Sequence, residues 1–468
     1  MEKYDLIVIG SGPAGEKAAV KAAYFGKKVA IIEKEHNYGG AGVNTGTLPS
    51  KTLKETALFF SGKYEKGLFG VERTLKHQAT IDDFMFRKNF VIQSEANEIH
   101  RNLQIHKVAI FHGTASFVDE HTIQIDGDNA CQIWGKFIII ATGSYPFHPE
   151  GIPFDHDRIL DSDTILNITR IPQSICIVGA GVIGCEYATI FATMGAKVYL
   201  VNRTDEILSF VDKEITAELI TSMKNDQIEI FFNDEVKSIN VPETEREFVR
   251  VGLSSGKWLH VDMFLYAAGR NGCTKKLNLE KVGIPVGKRE QLVVDEQYRT
   301  NIPNIFAVGD VIGFPALNST GMDQGRVAVT HMFDTKDLDA LAKIFPYGIY
   351  TVPEVSMVGL TEEEAKKQGI DYCVGRAKHV DMARGKIMGA KNGMLKIVFA
   401  KKDLTILGVH VIGPLATELI HYGLCLIESK RTVMQVIATV FNYPTLHDLY
   451  KYACYDGLGN LSGHKIKL

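Results

Sequence analysis

Gly10, Gly12 and Gly15 read G-x-G-x-x-G, and Gly179, Gly181 and Gly184 repeat the pattern in mid-chain. Glycines at this spacing let the backbone approach a pyrophosphate, and a helix opening directly after the turn aims unpaired N–H groups at the phosphate charge. The residue that closes the next strand decides what lies beyond the phosphates. After the first turn it is Glu33, 18 positions past Gly15, where a carboxylate can accept both hydroxyl protons of an adenosine ribose. After the second turn the equivalent position, again 18 past the last glycine, is Asn202. An acid there would repel a 2′-phosphate. Asn202 can hydrogen-bond a ribose hydroxyl without that repulsion, and Arg203 beside it offers a cation. This site is therefore expected to accept both NADH and NADPH; the bland alternative is a pair of solvated loop residues.

A third signature is Thr300-Asn-Ile-Pro-Asn-Ile-Phe-Ala-Val-Gly309-Asp310, an apolar strand ending in Gly-Asp. In flavoproteins with this frame the Asp bonds the ribityl hydroxyls of FAD. Asn318, Ser319 and Thr320 follow as N-cap candidates for a helix to about Phe333. If that helix points at the isoalloxazine, its positive end would stabilise an anionic reduced ring. Ala141, Thr142 and Gly143 end another strand, where the chain is expected to cross to the second nucleotide fold.

The positioning elements follow from apolar runs and breakers. Leu6–Ile9 reads as a buried strand, an Ala-rich helix runs to about Gly26, and 29–32 is the next strand. Ser174–Val178 and Lys197–Val201 bracket a second helix in the same way. From about Phe345 the pattern changes. Met394–Phe399 and Leu407–Val411 suggest an antiparallel sheet, with helices from Ala416 onward and no dinucleotide motif. The expected fold is α/β: two Rossmann-like dinucleotide-binding domains plus a C-terminal α+β interface (dimerisation) domain. The expected divisions are an FAD-binding part at 1–147, an NAD(P)-binding part at 148–271, a second FAD-binding part at 272–343 and the interface part at 344–468.

Composition bounds the rest. The 468 residues suggest about three domains. With 45% hydrophobic and 23% charged residues, the chain has ordinary globular composition. A net charge of −3 argues against nucleic-acid binding. The N-terminus enters a short strand without a signal-type apolar stretch, and no apolar run approaches the ~18 residues of a membrane span. Seven cysteines (131, 176, 185, 273, 373, 425 and 454) form no C-x-x-C, which fits buried free thiols in a reducing cytoplasm. Glu362–Glu364 with Lys366 and Lys367 reads as a solvated helix face, and no metal site is expected.

Together these motifs resemble the pyridine nucleotide–disulfide oxidoreductases over essentially the whole chain. Residues 39–51, GGAGVNTGTLPSK, keep that family's frame G-G-x-C-x-N-x-G-C-x-P-S-K, but Gly42 and Thr47 stand at both cysteine positions. A dithiol relay needs one thiolate to attack and a second thiol to resolve, so it is lost. Residues 441–448, FNYPTLHD, align with H-x-H-P-T-x-x-E: Tyr443 replaces the His base and Asp448 the Glu that orients it. A phenol with pKa near 10 is a poor base at neutral pH, and His447 is out of register and reads as a surface histidine. Both stretches are similar to those of the soluble (Si-specific) transhydrogenases, although Gly42 departs from the cysteine expected there.

The resemblance implies several site roles. Lys51 and Glu186 would form an ion pair beside the flavin, supporting charge on the reduced ring, or else a purely structural pair. Tyr443 and Asp448 would reach the flavin of a partner subunit in a homodimer. Lys34, Gly40, Gly42, Ala115 and Gly269 join the expected cofactor-binding set. Thr47 is assigned no chemical role, and Val182 lacks an aromatic ring that would have to swing aside. With flavin machinery present and thiol machinery gone, the implied activity is hydride transfer from NADPH to NAD through FAD. A quinone- or dye-reducing diaphorase and a non-catalytic flavoprotein subunit are the alternatives.

Overall fold

The structure is a computed structural model describing residues 1–62, 80–242, 247–337 and 340–464. The first sheet centres on strand Glu2–Ile9, which pairs in parallel with Val29–Glu33 on one side and Cys131–Ile140 on the other. Leu6, Ile7 and Val8 are wholly buried because both faces of this sheet are covered, which is why the strand reads as a continuous apolar run. Ala109–His112 extends the sheet beyond Val29–Glu33. Ile305–Ala307 returns from far along the chain to pair with Cys131–Ile140, bringing Gly309 and Asp310 beside the first glycine turn.

Helix Pro13–Tyr24 follows that turn, with proline in its first turn where a missing N–H costs nothing. It crosses helix Asn318–Phe333 closely: a Cβ on Gly325 would lie 2.3 Å from the Ala14 carbonyl oxygen. Glycine at 325 thus sets the distance between two helices that both open toward the same site.

The second parallel sheet runs Glu229–Phe231, Lys197–Val201, Ser174–Val178, Met263–Tyr266 and Ile159–Asp161. Its central strands match the expected bounds at both ends. A three-stranded antiparallel sheet flanks it. The C-terminal part is a five-stranded antiparallel sheet, with Val355–Gly359, Ile406–Ile412 and Met394–Ala400 at its centre, covered by helices Ala416–Glu428 and Asp448–Ser462.

The Glu362–Lys367 helix is not simply a solvated face. The Glu362 carboxylate accepts from the wholly buried Lys396, whose Nζ lies 2.7 Å from Glu362, 2.9 Å from Asp212 and 3.0 Å from Glu214. A buried ammonium is tolerable only when paired and hydrogen-bonded, and the sequence hid this because Asp212 lies in the second nucleotide fold and Lys396 in the last sheet. The cysteines also depart from expectation. All seven are free, but only Cys176, Cys185 and Cys454 are buried, and Cys425 is exposed.

Candidate nucleotide and flavin site

The first glycine turn is built for close approach. Gly10 has φ +102°, and a Cβ there would lie 2.5 Å from the Ala141 carbonyl oxygen. Gly15 sits beneath the turn, where a Cβ would lie 2.0 Å from the Gly10 carbonyl oxygen. Above the turn opens a cavity of about 680 Å³, within the usual range for cofactor sites. Of the residues expected to hold a cofactor, Gly10, Gly12, Glu33, Lys34, Gly40, Gly42, Ala115, Thr142, Gly143, Gly309 and Asp310 line it. The Thr142 hydroxyl and the Asn44 side-chain oxygen in this lining are buried without a hydrogen-bond partner. Such orphaned polar atoms fit a ligand with many polar groups.

Glu33 is buried and already engaged. Oε2 accepts from the Ser11 N–H at 2.9 Å and from the Ser11 hydroxyl at 2.7 Å. Oε1 accepts from the N–H groups of Lys34 at 2.8 Å and Glu35 at 3.0 Å. A carboxylate has about four lone-pair sites. The ribose hydroxyls expected at Glu33 must therefore share with or displace the Ser11 hydroxyl, a condition the sequence reading omitted.

Asp310 accepts from the Ser144 hydroxyl at 2.9 Å. Ser144 in turn accepts from Arg270 Nε at 2.9 Å, and Arg270 Nη1 donates to Asp163 at 2.8 Å. This chain of contacts fixes the Asp310 carboxylate and runs to the crossover into the second nucleotide fold. The N-cap expectation for the neighbouring helix is corrected: Leu317 is the N-cap and no side chain caps it. The Thr320 hydroxyl instead donates back to the Leu317 carbonyl. The first-turn N–H groups are thereby left for a ligand, with Leu317, Asn318 and Gly321 in the cavity wall.

The second turn repeats the construction. Gly179 has φ +101°, and a Cβ on Gly184 would lie 1.8 Å from the Gly179 carbonyl oxygen. A Cβ on Gly181 would meet open space. Asn202 Oδ1 accepts from the Ala180 N–H at 3.2 Å, while Nδ2 donates to the Thr204 hydroxyl at 2.9 Å. Arg203 is 76% exposed, with Nε 3.3 Å from Glu235. One residue escaped the sequence reading. Arg289, itself at φ +55°, places Nη1 3.6 Å from where a Cβ on Gly269 would stand. Burial pushes the Tyr266 phenol up, and the nearby charges of Arg203 and Arg289 oppose that shift. No spacing rule marks Arg289; only the fold brings it beside Gly269.

Lys51 and Glu186 meet as expected. Lys51 Nζ lies 2.8 Å from Oε1 and 2.7 Å from Oε2 of the buried Glu186. Glu186 Oε1 also accepts from the Tyr350 N–H at 2.9 Å, and Lys51 Nζ lies 5.1 Å from the Tyr350 ring centre. Behind them, buried Lys54 pairs with Glu354, and its Nζ is 5.6 Å from the same ring. Neither Lys51 nor Glu186 is among the cavity-lining residues; Lys51 lies in the first turn or so of helix Thr47–Phe60. Lys54, Tyr350 and Glu354 had no motif to announce them.

Tyr443 and Asp448 do not line this chain's cavity. Tyr443 is 72% exposed and precedes a cis proline, and Asp448 opens helix Asp448–Ser462. His447 is not a plain surface histidine. It is partly buried and stacked between Phe441 and Tyr450, and burial lowers its pKa.

The site's components define a class: a two-nucleotide α/β oxidoreductase scaffold with an interface domain. The profile of the pyridine nucleotide-disulphide oxidoreductases matches residues 4–331, and that of their dimerisation domain matches 345–454. The chain belongs to this family. It is 41% identical over 464 residues to the soluble pyridine nucleotide transhydrogenase of Mycobacterium bovis, covering 98% of each chain. It is also 41% identical to the soluble pyridine nucleotide transhydrogenase of Colwellia psychrerythraea, covering 98% of this chain and all of that one. Among solved structures it is similar to the Cu(II) complex of the HOCl-induced flavoprotein disulfide reductase RclA from Escherichia coli. That likeness has a TM-score of 0.88 and 28% identity, and covers 97% of this chain and 99% of the other. Among the described residues no helix is long and apolar enough to cross a membrane.

Proposed function

We propose that this chain is a soluble, Si-specific type of FAD-dependent transhydrogenase that moves a hydride from NADPH to NAD without a dithiol relay. The observation that carries the reading is the pairing of an intact glycine and Asp310 cradle with Gly42 and Thr47 at both sulfur positions. The names of relatives covering the full chain support it.

The residues around the cavity fit FAD. The glycine turn leaves room for a pyrophosphate, Glu33 and Asp310 offer fixed carboxylates for ribose and ribityl hydroxyls, and the Asn318 helix presents free N–H groups. When bound, FAD supplies the two-electron step, accepting a hydride from one nicotinamide and passing it to another. The chain's own part is positioning and charge. Lys51, held by Glu186, keeps a cation near the site so that negative charge gained on reduction is countered. The Gly179–Gly184 turn, Asn202 and Arg203 bind either nicotinamide nucleotide in one cleft, with Gly269 and Arg289 at its mouth. No side chain has to transfer a proton between sulfurs, so Tyr443 and Asp448 serve to complete the partner's site in a homodimer rather than as a base pair. Residues 1–147 and 272–343 form the flavin-binding part, 148–271 the nicotinamide part and 344–468 the interface.

The test is rapid-mixing reduction by one equivalent of NADPH, followed by NAD. Two-electron reduction without a long-wavelength thiolate-to-flavin absorbance, and reoxidation by NAD, are expected. Initial-rate plots at several NAD concentrations should be parallel, because one shared cleft forces product to leave before acceptor enters. Reoxidation by a quinone but not by NAD would make the chain a diaphorase. Failure of any nucleotide to reduce it would leave a binding subunit.

A further inference from the structure

Gly42 does not simply leave a hole. A Cβ built on it would lie 2.7 Å from Asn318 Nδ2, 2.9 Å from Asn318 Oδ1 and 3.0 Å from Pro13 Cγ. Cβ atoms essentially never come within 3.0 Å of another heavy atom, so a side chain at 42 would turn the Asn318 carboxamide, the mobile end of its side chain, out of this position. The polar group at this point of the cavity comes from a distant part of the chain, on the first residue of helix Asn318–Phe333.

Three further observations say what that carboxamide is for. It forms no hydrogen bond among the described residues, yet it lines the cavity beside Gly42 and Leu317. It is not spent on capping its own helix, whose N-cap is Leu317 with no side-chain bond. The same helix turn rests against the Gly-Asp signature: a Cβ on Gly321 would be 3.5 Å from Gly309 Cα. A carboxamide with two donors and an acceptor unspent, at an uncapped helix start in a cavity wall, is a site looking for a polar partner.

We infer that Asn318 is a cofactor-positioning residue that lies against position 42, where the first of the two missing cysteines would stand, and hydrogen-bonds the redox-active ring of the flavin. The inference rests on the reading of the cavity as an FAD site. A neutral amide donor fits hydride chemistry where a thiol would not. It neither titrates nor oxidises under ordinary conditions, and it stabilises the charged, reduced ring more than the neutral, oxidised one, adding to Lys51 and the helix end. Gly42 is the enabling change, since only a residue without Cβ lets Asn318 lie there.

Spectroelectrochemical titration of the FAD-loaded protein tests this apart from turnover. Asn318→Ala should shift the ratio of reduced to oxidised flavin at a fixed potential by up to about tenfold toward oxidised, ~30 mV for a two-electron couple. Gly42→Ala should weaken FAD retention in the parent chain. In the Asn318→Ala background it should not, because the clash is gone, while the lowered potential persists. An unchanged potential in Asn318→Ala, or a Gly42→Ala defect that Asn318→Ala does not relieve, would overturn the inference. A parent chain that takes up no FAD would instead overturn the cofactor reading beneath it.

Discussion

The two glycine turns are nearly superposable in construction and opposite in setting. In each, the first glycine takes positive φ, the last underlies the first, and the residue closing the second strand reaches back to the N–H after the first glycine. At the first turn that residue is the buried Glu33, held by four donors under a walled cavity. At the second it is Asn202, with an exposed arginine beside it and open space above Gly181. On the proposed function, one backbone device serves a site that retains its ligand and a site that exchanges it, and the two turns differ in what closes over them.

The largest effects should come from removing the device at each end in turn. Gly15→Ala and Gly184→Ala each push a methyl group against a carbonyl oxygen, 2.0 and 1.8 Å away before relaxation. Overpacking of this kind costs about 1–3 kcal/mol or more. Gly15→Ala is expected to yield colourless, destabilised protein, read by released flavin and melting temperature. Gly184→Ala should stay yellow while losing reduction by both nicotinamides. If both variants lose flavin equally, the division of labour between the turns is wrong.

A smaller and more selective effect is expected at Arg203. Arg203→Ala removes a charge-assisted contact of about 1.5–3 kcal/mol, ten- to a hundredfold in NADPH affinity, and should leave NADH nearly unchanged. The free chain already spends Arg203 on Glu235. Glu235→Ala should therefore tighten NADPH slightly, by less than about 1 kcal/mol as befits an exposed pair. Isothermal titration with each nucleotide measures both. Equal losses for NADH and NADPH in Arg203→Ala would remove it from the phosphate role and leave Arg289 as the cation to test.

The smallest effect separates both turns from the interface sheet. Burial pushes the His379 imidazole down to about 4. The unfolded chain, with an ordinary pKa near 6.5, takes up a proton over this window that the folded chain refuses. Stability is therefore full above about pH 6.5 and falls as pH drops toward 4, by about 1 kcal/mol between pH 7 and 5.5. Thermal unfolding of the parent chain should show this slope, and His379→Gln should flatten it.

What could be read from the chain beforehand was whatever depends on neighbours in sequence. The strands Ser174–Val178 and Lys197–Val201 appear at the expected bounds because short apolar runs flanked by breakers leave little choice. The sheet strands near 394 and 407 were legible by the same reasoning and run one residue or so longer. The turn chemistry was legible because its spacing is rigid. The remainder concerns partners that no spacing rule connects. Lys396 with Asp212, Arg289 with Gly269, and Asn318 with Gly42 each join segments that meet only in three dimensions. Asn favours the cap position in sequence, but the helix begins one residue earlier than that preference implies, with Leu317 at the N-cap and Asn318 inside the first turn.

Glu186 joins segments that are synthesised at different times. Its carboxylate is held by Lys51 from the first nucleotide fold and by the Tyr350 N–H from the interface part. A chain emerging from the ribosome folds its N-terminal segments first, so both glycine turns can be in place while Tyr350 is still unmade. The ion pair then lacks its second tether, along with the Lys54–Glu354 pair behind it. The second tether of this ion pair thus arrives with the last quarter of the protein, and on the proposed function a chain truncated before Tyr350 would bind flavin without it.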